Sequence, residues 1–383
     1  MEPRNLKRVL IHSIVFSPDG VSTAYLYNDI ALGLKNAGYE VAVHVRCSEH
    51  RAVIEQAGLQ VIPHNISRSG LNPFRELVSV FQLVKVLRSF RPDVIHLIAL
   101  KPIVLGSLAS IFYPKAKVVN APVGMGYLFA SNDVRARLAR PLVNLVLKLT
   151  LGRKRSMTII ENSDDRRSLV EGGFLSSNQI ILIRGTGVNL EVFRPTTEPV
   201  GPKIVVLIAR MLRDKGVFEF VESARIVKRT NPTTTFWLIG DADPGNPASL
   251  TTQQLQEWND EGIVKWLGYR TDVADLLTQI HIVCLPSYRE GFGKVFVEAG
   301  AALRAVVATD VPGCREAVEH QVNGLLVEPK NSEALATALL AVLDNDPLRL
   351  RLAKEGRRRA EFEFSSETVN AQTLAVYQQV LGQ

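Results

Sequence analysis

The sequence predicts an α/β protein made of two doubly wound parallel-sheet halves, and three observations carry that prediction. Short β-branched runs alternate with amphipathic segments along most of the 383 residues. The alternation pauses once, at Arg194-Pro195-Thr196-Thr197-Glu198-Pro199-Val200-Gly201-Pro202, and then restarts. The length exceeds one ordinary domain and suits two, each with its own core. Strands that alternate with helices favour a parallel sheet covered on both faces.

The first strand falls at KRVLIHSI (7–14). The helix TAYLYNDIALGLKNAG (23–38) follows and is stopped by Gly38. YEVAVHVR (39–46) is the second strand. Residues 74–90 read as a helix, with Leu77, Val80, Phe81, Val84 and Leu87 at spacings of three and four. DVIHLI (93–98), KVVN (117–120), MTII (157–160) and IILI (180–183) continue the strands. The stretch from Arg194 to Pro202, with its prolines and glycine, reads as a linker. KIVVLIAR (203–210) then opens a second series, with TTTFWLIG (233–240), IVKWLG (263–268), IHIVCLP (280–286) and AVVAT (305–309). From Asn331 the pattern is mostly helical, and Ser365-Ser366-Glu367 opens the last helix with cap-like chemistry. The expected domains are residues 1–195 and 203–364, with a terminal helix at about 365–383 packing back on the first. Ligands are expected at the C-terminal strand ends, in a central cleft where the halves face each other.

Composition narrows the class. No apolar run reaches the roughly 18 residues a spanning helix needs, and Met1-Glu2-Pro3-Arg4 leads straight into a strand-like run, with no signal peptide pattern. Cys47, Cys284 and Cys314 have neither zinc-ligand spacing nor a disulfide framework, which points to neutral thiols in a reducing cytoplasm. Residues 1–195 carry 25 Lys+Arg against 14 Asp+Glu, a net +11, whereas the remainder carries a net −4. A basic half beside an acidic half suggests an anionic partner for the first. A nucleic-acid motif or a basic stripe interleaved with aromatics is not found. An anionic membrane surface or a phosphorylated acceptor fits better. RARLARPLVNLVLKLTLGRKR (135–155) has basic ends around Leu142, Val143, Leu145, Val146, Leu147 and Leu149, as a helix lying in a headgroup region would. A core helix with basic flanks reads equally well, and Pro141 complicates both.

Three motifs carry chemistry. REGFGKVFVEAGA (289–301) holds Glu290 and Glu298 about two helical turns apart, with Gly291, Phe292 and Gly293 between them. Glycine-rich backbone before a helix offers N–H groups to an anion or a sugar hydroxyl. The spacing places the carboxylates at separate points along one ligand, suiting a hexose hydroxyl and a ribose diol; a capped helix with solvated acids is the plainer alternative. ARMLRDKG (209–216) puts Arg210 and Lys215 in the loop after the restarted strand, a forked donor and a point charge suited to a diphosphate. SPDGVSTAY (17–25) places Gly20 at the mouth of the first helix, a weak sign of an anion or sugar loop. Asp241-Ala242-Asp243 is the one Asp-x-Asp after a strand, and Pro244-Gly245-Asn246-Pro247 makes it read as a loop rather than a metal site.

The order ARMLRDKG, LGYRTDVADLL, LPSYREGFGKVFVEA, TDVPGCREAV and NGLLVEP resembles the family 4 retaining glycosyltransferases of the GT-B fold, over nearly the whole chain. ISRSGLNPFREL (66–77), HLIALKP (96–102), APVGMGYLF (121–129), ENSDDRRSLVEGG (161–173) and GTGVNLEVFRP (185–195) resemble a bacterial branch that adds sugars to undecaprenyl-diphosphate-linked glycan precursors. The resemblance implies a metal-independent hexosyltransferase with a nucleotide-diphosphate sugar, UDP-sugar being favoured, as co-substrate and no other cofactor. It implies that Arg210 and Lys215 bind the donor diphosphate, Glu298 the ribose and Glu290 the donor sugar beside the Phe292 and Gly293 N–H groups. Tyr269 and Arg270 would lie near the base. Arg68 and Lys101, with Gly124 and Gly126, are candidates for the acceptor diphosphate, which would place the enzyme on the inner face of the cytoplasmic membrane. Many family members carry a His near the reacting sugar, where this chain reads Val123-Gly124-Met125-Gly126-Tyr127; the catalytic base therefore stays unassigned. His96 reads as a core or rim residue on an apolar strand. A soluble acceptor, a non-hydrolysing sugar-nucleotide epimerase and a non-catalytic nucleotide-sugar-binding protein remain alternatives.

Overall fold

Runs of Val, Ile and Leu that are buried along their length become interior strands of parallel sheets, as the alternation predicts. The computed structural model describes residues 7–15, 26–46, 51–64, 73–123, 145, 147–153 and 156–382. Within these the chain divides into two compact units, Met1–Thr186 with Glu367–Gln383, and Gly187–Ser366. The segment 135–155, expected as a membrane-surface or core helix, lies largely outside the described residues, as do Gly20, Arg68, Gly124 and Gly126.

The first unit holds a seven-stranded sheet in the order β3-β2-β1-β4-β5-β6-β7, every pair parallel. The strands are β1 (Arg8–Val15), β2 (Glu40–Arg46), β3 (Gln60–Pro63), β4 (Val94–Ile98), β5 (Lys117–Ala121), β6 (Ser156–Ile160) and β7 (Ile180–Leu182). One face packs Val9, Ile11, Val43 and Val119 against Ile30 and Leu34 of the helix Leu26–Asn36 and Val369, Val376 and Tyr377 of the helix Ser366–Leu381. The other packs Leu10, Ala42, Ile95 and Leu97 against the helices Pro73–Phe90 and Leu100–Ile111. The last helix is anchored by Tyr377, whose buried hydroxyl donates to His96 Nδ1 at 2.6 Å. Burial holds the Tyr377 phenol well above its ordinary pKa, so it keeps the proton it donates.

The helix Pro73–Phe90 departs from the apolar stripe read in the sequence. Val80, Leu83, Val84, Leu87 and Phe90 are buried, whereas Phe74, Leu77, Val78 and Phe81 are exposed, Phe74 to 81%. The helix has two apolar faces, and spacing alone did not separate them.

The second unit holds a six-stranded parallel sheet in the order β10-β9-β8-β11-β12-β13. Its strands are β8 (Ile204–Ile208), β9 (Thr235–Ile239), β10 (Lys265–Trp266), β11 (Ile282–Leu285), β12 (Ala305–Thr309) and β13 (Leu325–Val327). Phe220 and Phe236 pack edge to face beneath it, with ring centroids 5.5 Å apart. The stretch after Arg194 is irregular, as its prolines require, yet it is firmly bound within this unit. Arg349 holds Glu198 through two bonds of 2.6 and 2.8 Å, and buried Arg304 donates to Thr196 O at 3.0 Å.

Both sheets reverse the direction of strand order once, between β1 and β4 and between β8 and β11. In doubly wound sheets ligands bind beyond the C-terminal strand ends at such a reversal.

Candidate active site

The reversal in the second sheet brings together two motifs that lie far apart in the chain. β8 delivers Arg210 and Lys215, and β11 delivers Glu290. Lys215 Nζ lies 2.6 Å from Glu290 Oε1, and the Ser287 hydroxyl donates to the same oxygen at 2.6 Å. The Lys215 and Glu290 side chains are only 20% and 11% exposed, so their charges are weakly screened.

Two glycines permit this approach. Gly216 adopts φ +71 where the chain turns into the helix Val217–Thr230, and a Cβ there would lie 2.0 Å from Pro286 O. Gly313 adopts φ +81, and a Cβ there would lie 2.4 Å from Glu290 O. A side chain at either position would clash with the backbone that carries Glu290. The final glycine of ARMLRDKG and the Pro-Gly of VPGCREAV are therefore parts of the site.

Arg210 reaches along the rim. Its Nη1 donates to Asp243 Oδ2 at 2.8 Å. Met211 N–H donates to Asp241 O at 2.9 Å, and Tyr269 N–H to Asp241 Oδ1 at 3.1 Å. Trp266 Nε1–H donates to Gly240 O at 2.8 Å. The segment 240–243 thus stitches the loops after β8, β9 and β10 into one rim. Asp241-Ala242-Asp243 is a loop with no regular structure. Arg270 is half-buried and forks onto Asp272, with Nε to Oδ1 at 2.7 Å.

Glu298 lies in the helix Lys294–Ala301, is buried to within 8% of full, and has Lys294 Nζ at 3.6 Å. At the start of that helix Gly293 N–H donates to Gly313 O at 3.3 Å, so this N–H is engaged within the protein, contrary to its expected availability. Phe292 sets its ring against Phe364, centroids 5.6 Å apart, while Gly291 is half-buried. Cys314 and Cys284 are buried, and burial raises both thiols above their ordinary pKa; for Cys314 the Glu290 carboxylate adds to the effect. Both are therefore protonated and poor nucleophiles.

In the first unit the described part of the reversal is the end of β4. Ala99 takes φ 74, an uncommon conformation for a non-glycine residue, and the helix Leu100–Ile111 begins directly after it. Lys101 Nζ, in its first turn, lies 2.6 Å from Glu76 Oε1. His96 is buried on β4, held near pKa 3 by burial, with no place in the rim of the second unit.

Basic side chains and carboxylates thus stand at a strand-order reversal in one of two parallel-sheet units, and comparison with known proteins defines the class as a glycosyltransferase. The family described as Glycosyl transferases group 1 matches residues 189–359, and that described as Glycosyl transferase 4-like matches residues 13–160. Over 375 residues the chain is 31% identical to the N,N'-diacetylbacillosaminyl-diphospho-undecaprenol alpha-1,3-N-acetylgalactosaminyltransferase of Campylobacter jejuni, covering 94% of this chain and 97% of that one. It is 22% identical over 289 residues to the UDP-Gal:alpha-D-GlcNAc-diphosphoundecaprenol alpha-1,3-galactosyltransferase of Escherichia coli, covering 72% and 73%. The crystal structure of Anabaena HepE in complex with UDP and glucose superposes with a TM-score of 0.78 at 21% identity, over 97% of this chain and 99% of that one. The chain belongs to the family 4 retaining glycosyltransferases of the GT-B fold.

Proposed function

We propose that the chain transfers a hexose or N-acetylhexosamine from a UDP-sugar to a saccharide carried on a polyprenyl diphosphate, during assembly of a surface glycan. The observation that carries this reading is the Arg210, Lys215 and Glu290 rim at the β8/β11 reversal, in a chain similar along almost its full length to a transferase named for an undecaprenyl-linked acceptor. Arg210 and Lys215 receive the donor diphosphate. Each is already held by a carboxylate, Asp243 and Glu290, so the phosphates meet cations whose side chains are pre-oriented. Glu298 accepts the ribose hydroxyls, Tyr269 and Arg270 border the base, and Glu290 contacts the donor sugar. Negative charge that develops on the leaving diphosphate is stabilised by the two basic side chains, and transfer proceeds without a divalent metal at this position. The leaving phosphate assists deprotonation of the acceptor. Lys101, in the first turn of the helix after β4, binds the acceptor diphosphate on this reading, and Arg68, Gly124 and Gly126 are assigned to the same role from the sequence.

Attachment to the inner face of the membrane is peripheral. Among the described residues no helix is long and apolar enough to cross a membrane. The exposed Phe74, Leu77, Val78 and Phe81, with Lys85 and Arg88 also exposed on the same helix, supply an apolar and basic surface in the half that carries net +11. Flotation with anionic and neutral liposomes tests this: binding to anionic vesicles that weakens at high salt is expected, and equal recovery with both lipids contradicts it.

The function is tested by mass spectrometry after incubation of UDP-sugars with a synthetic polyprenyl-diphosphate saccharide. A lipid product heavier by one hexose or N-acetylhexosamine is expected. A soluble glycoside, an epimerised donor or no product favours a soluble acceptor, an epimerase or a binding protein respectively. Loss of the activity in EDTA with restoration by Mg2+ or Mn2+ contradicts the metal-independent mechanism.

A further inference from the structure

Three histidines that are separated by 32 and 20 positions in sequence meet at one end of the first sheet. His12 of β1 lies in register with His44 of β2. His64 directly follows β3, and its N–H donates to Val45 O at 3.1 Å, continuing the pairing of β3 with β2. Ile62 pairs with His44, so His64, two residues on, projects from the same face. All three side chains are buried, to 0%, 2% and 7% exposure. The ring centroids lie 4.7 to 5.3 Å apart, and one ligand nitrogen from each lies within 4.8 Å of the others.

The hydrogen bonds fix the tautomers. A carbonyl oxygen only accepts, so the nitrogen that faces one carries the proton. His64 Nε2–H donates to Ser13 O at 2.8 Å, which makes Nδ1 the lone-pair nitrogen. His12 Nδ1–H donates to His44 O at 3.2 Å, which makes Nε2 the lone-pair nitrogen. That Nε2 is buried and has no hydrogen-bond partner among the described residues. His44 Nδ1 lies 3.0 Å from His12 Nδ1, so its lone pair faces that N–H and the His44 ring must turn to present it to a cation. A ring N–H donated to a backbone carbonyl, with the other nitrogen left to coordinate, is the usual support of a metal-binding histidine. Burial away from water favours the uncharged form of each ring. Neutral imidazole is the ligand form.

We infer that His12, His44 and His64 bind a divalent transition-metal cation of the zinc class, which ties together the C-terminal ends of β1, β2 and β3. Zinc bonds to imidazole nitrogen at about 2.0–2.1 Å in tetrahedral geometry, which places ligand nitrogens about 3.4 Å apart. From within 4.8 Å this requires a contraction of up to about 1.4 Å, within the reach of side-chain rotation. Three imidazoles leave a fourth position for water. The cation is separate from the donor diphosphate, which Arg210 and Lys215 address in the other unit.

The test uses the full chain without a polyhistidine tag, stripped with a chelator and then titrated with Zn2+ against a chromophoric competitor and with Co2+ by visible absorption. One equivalent of Zn2+ and the intense visible bands of tetrahedral Co2+ are expected. His44→Asn and His64→Asn, checked for folding by circular dichroism, are expected to lose at least tenfold in Zn2+ affinity, while His320→Asn, on the exposed surface, keeps it. A wild-type chain that takes up no stoichiometric Zn2+, or shows no tetrahedral Co2+ spectrum, overturns the inference whatever the variants do. Triad variants that bind as tightly as wild type overturn it as well. None of these readouts depends on sugar transfer.

Discussion

The two strand-order reversals of this chain are topologically alike and chemically opposite. At the end of β8 and β11 stand Arg210, Lys215, Asp243 and Glu290, charged groups that balance one another across 2.6–2.8 Å. On β1, β2 and after β3 stand three buried imidazoles kept neutral by burial, and beyond β4 a single Lys101–Glu76 pair. The same backbone architecture therefore carries paired charges at the strand ends of one half. In the other it carries buried imidazoles, with Arg46 at the end of β2 beside them. Fold determines where a ligand arrives, and the side chains at the strand ends determine what it is.

The largest effect should come from Glu290→Gln, which keeps the shape and removes the charge that Lys215 and Ser287 address. Turnover is expected to fall by about 10²–10³-fold, as for loss of one preorganised electrostatic contact, with UDP affinity much less affected. Steady-state transfer kinetics alongside calorimetric UDP titration separate the two; equal losses in both would move Glu290 from the sugar to the nucleotide. Glu298→Gln should act in the opposite sense. An amide accepts less well from two ribose hydroxyls than a carboxylate, so UDP binding is expected to weaken by about tenfold, equivalent to the roughly 1.4 kcal/mol at stake in one charge-assisted bond.

The first half is expected to be the acid-sensitive one. His96, buried between the sheet and the last helix, accepts from Tyr377 and is held near pKa 3, against 6.5 for a free imidazole. Its folded value is depressed, so the unfolded chain binds the extra proton. The contribution is complete above pH 6.5 and declines as pH falls from 6.5 toward 3, by about 1.4 kcal/mol for each pH unit in that window. Thermal melts from pH 7.5 to 4.5 should show His96→Gln less stable at pH 7.5 but with a shallower decline. Parallel curves for both proteins would remove His96 as a source of acid lability.

Much of this was readable in the sequence where signals are local. The rim motifs ARMLRDKG and REGFGKVFVE each sit directly after a strand, so the β-branched runs before them fixed their place. The strands β3, with only Val61 and Ile62 as β-branched residues, and β13, whose LLV run follows Asn323-Gly324, were not read from the sequence. Leu77 and Phe81 fall in the core-facing stripe by spacing yet are exposed, because a helix with two apolar faces repeats at the same spacing as one with a broad face. The partners of the basic residues, Asp243 for Arg210 and Glu290 for Lys215, lie 33 and 75 positions away and became neighbours only through strand order. The histidine triad was illegible for the same reason. Parallel strands bring equivalent ends together after a whole crossover, and ligands gathered in this way have no short spacing.

The account rests on a division of labour, with the donor held by the second unit and the acceptor diphosphate by the first, and one paired measurement addresses it most directly. UDP affinity by calorimetry and transfer to a polyprenyl-diphosphate saccharide are measured on full-length Lys215→Ala and Lys101→Ala. Lys215→Ala is expected to weaken UDP by about 10–100-fold, the range for one charge-assisted bond to phosphate. Lys101→Ala is expected to leave UDP affinity intact and to raise the KM for the lipid acceptor. UDP affinity unchanged in Lys215→Ala, or weakened as much in Lys101→Ala, would contradict the assignment of donor and acceptor to separate halves.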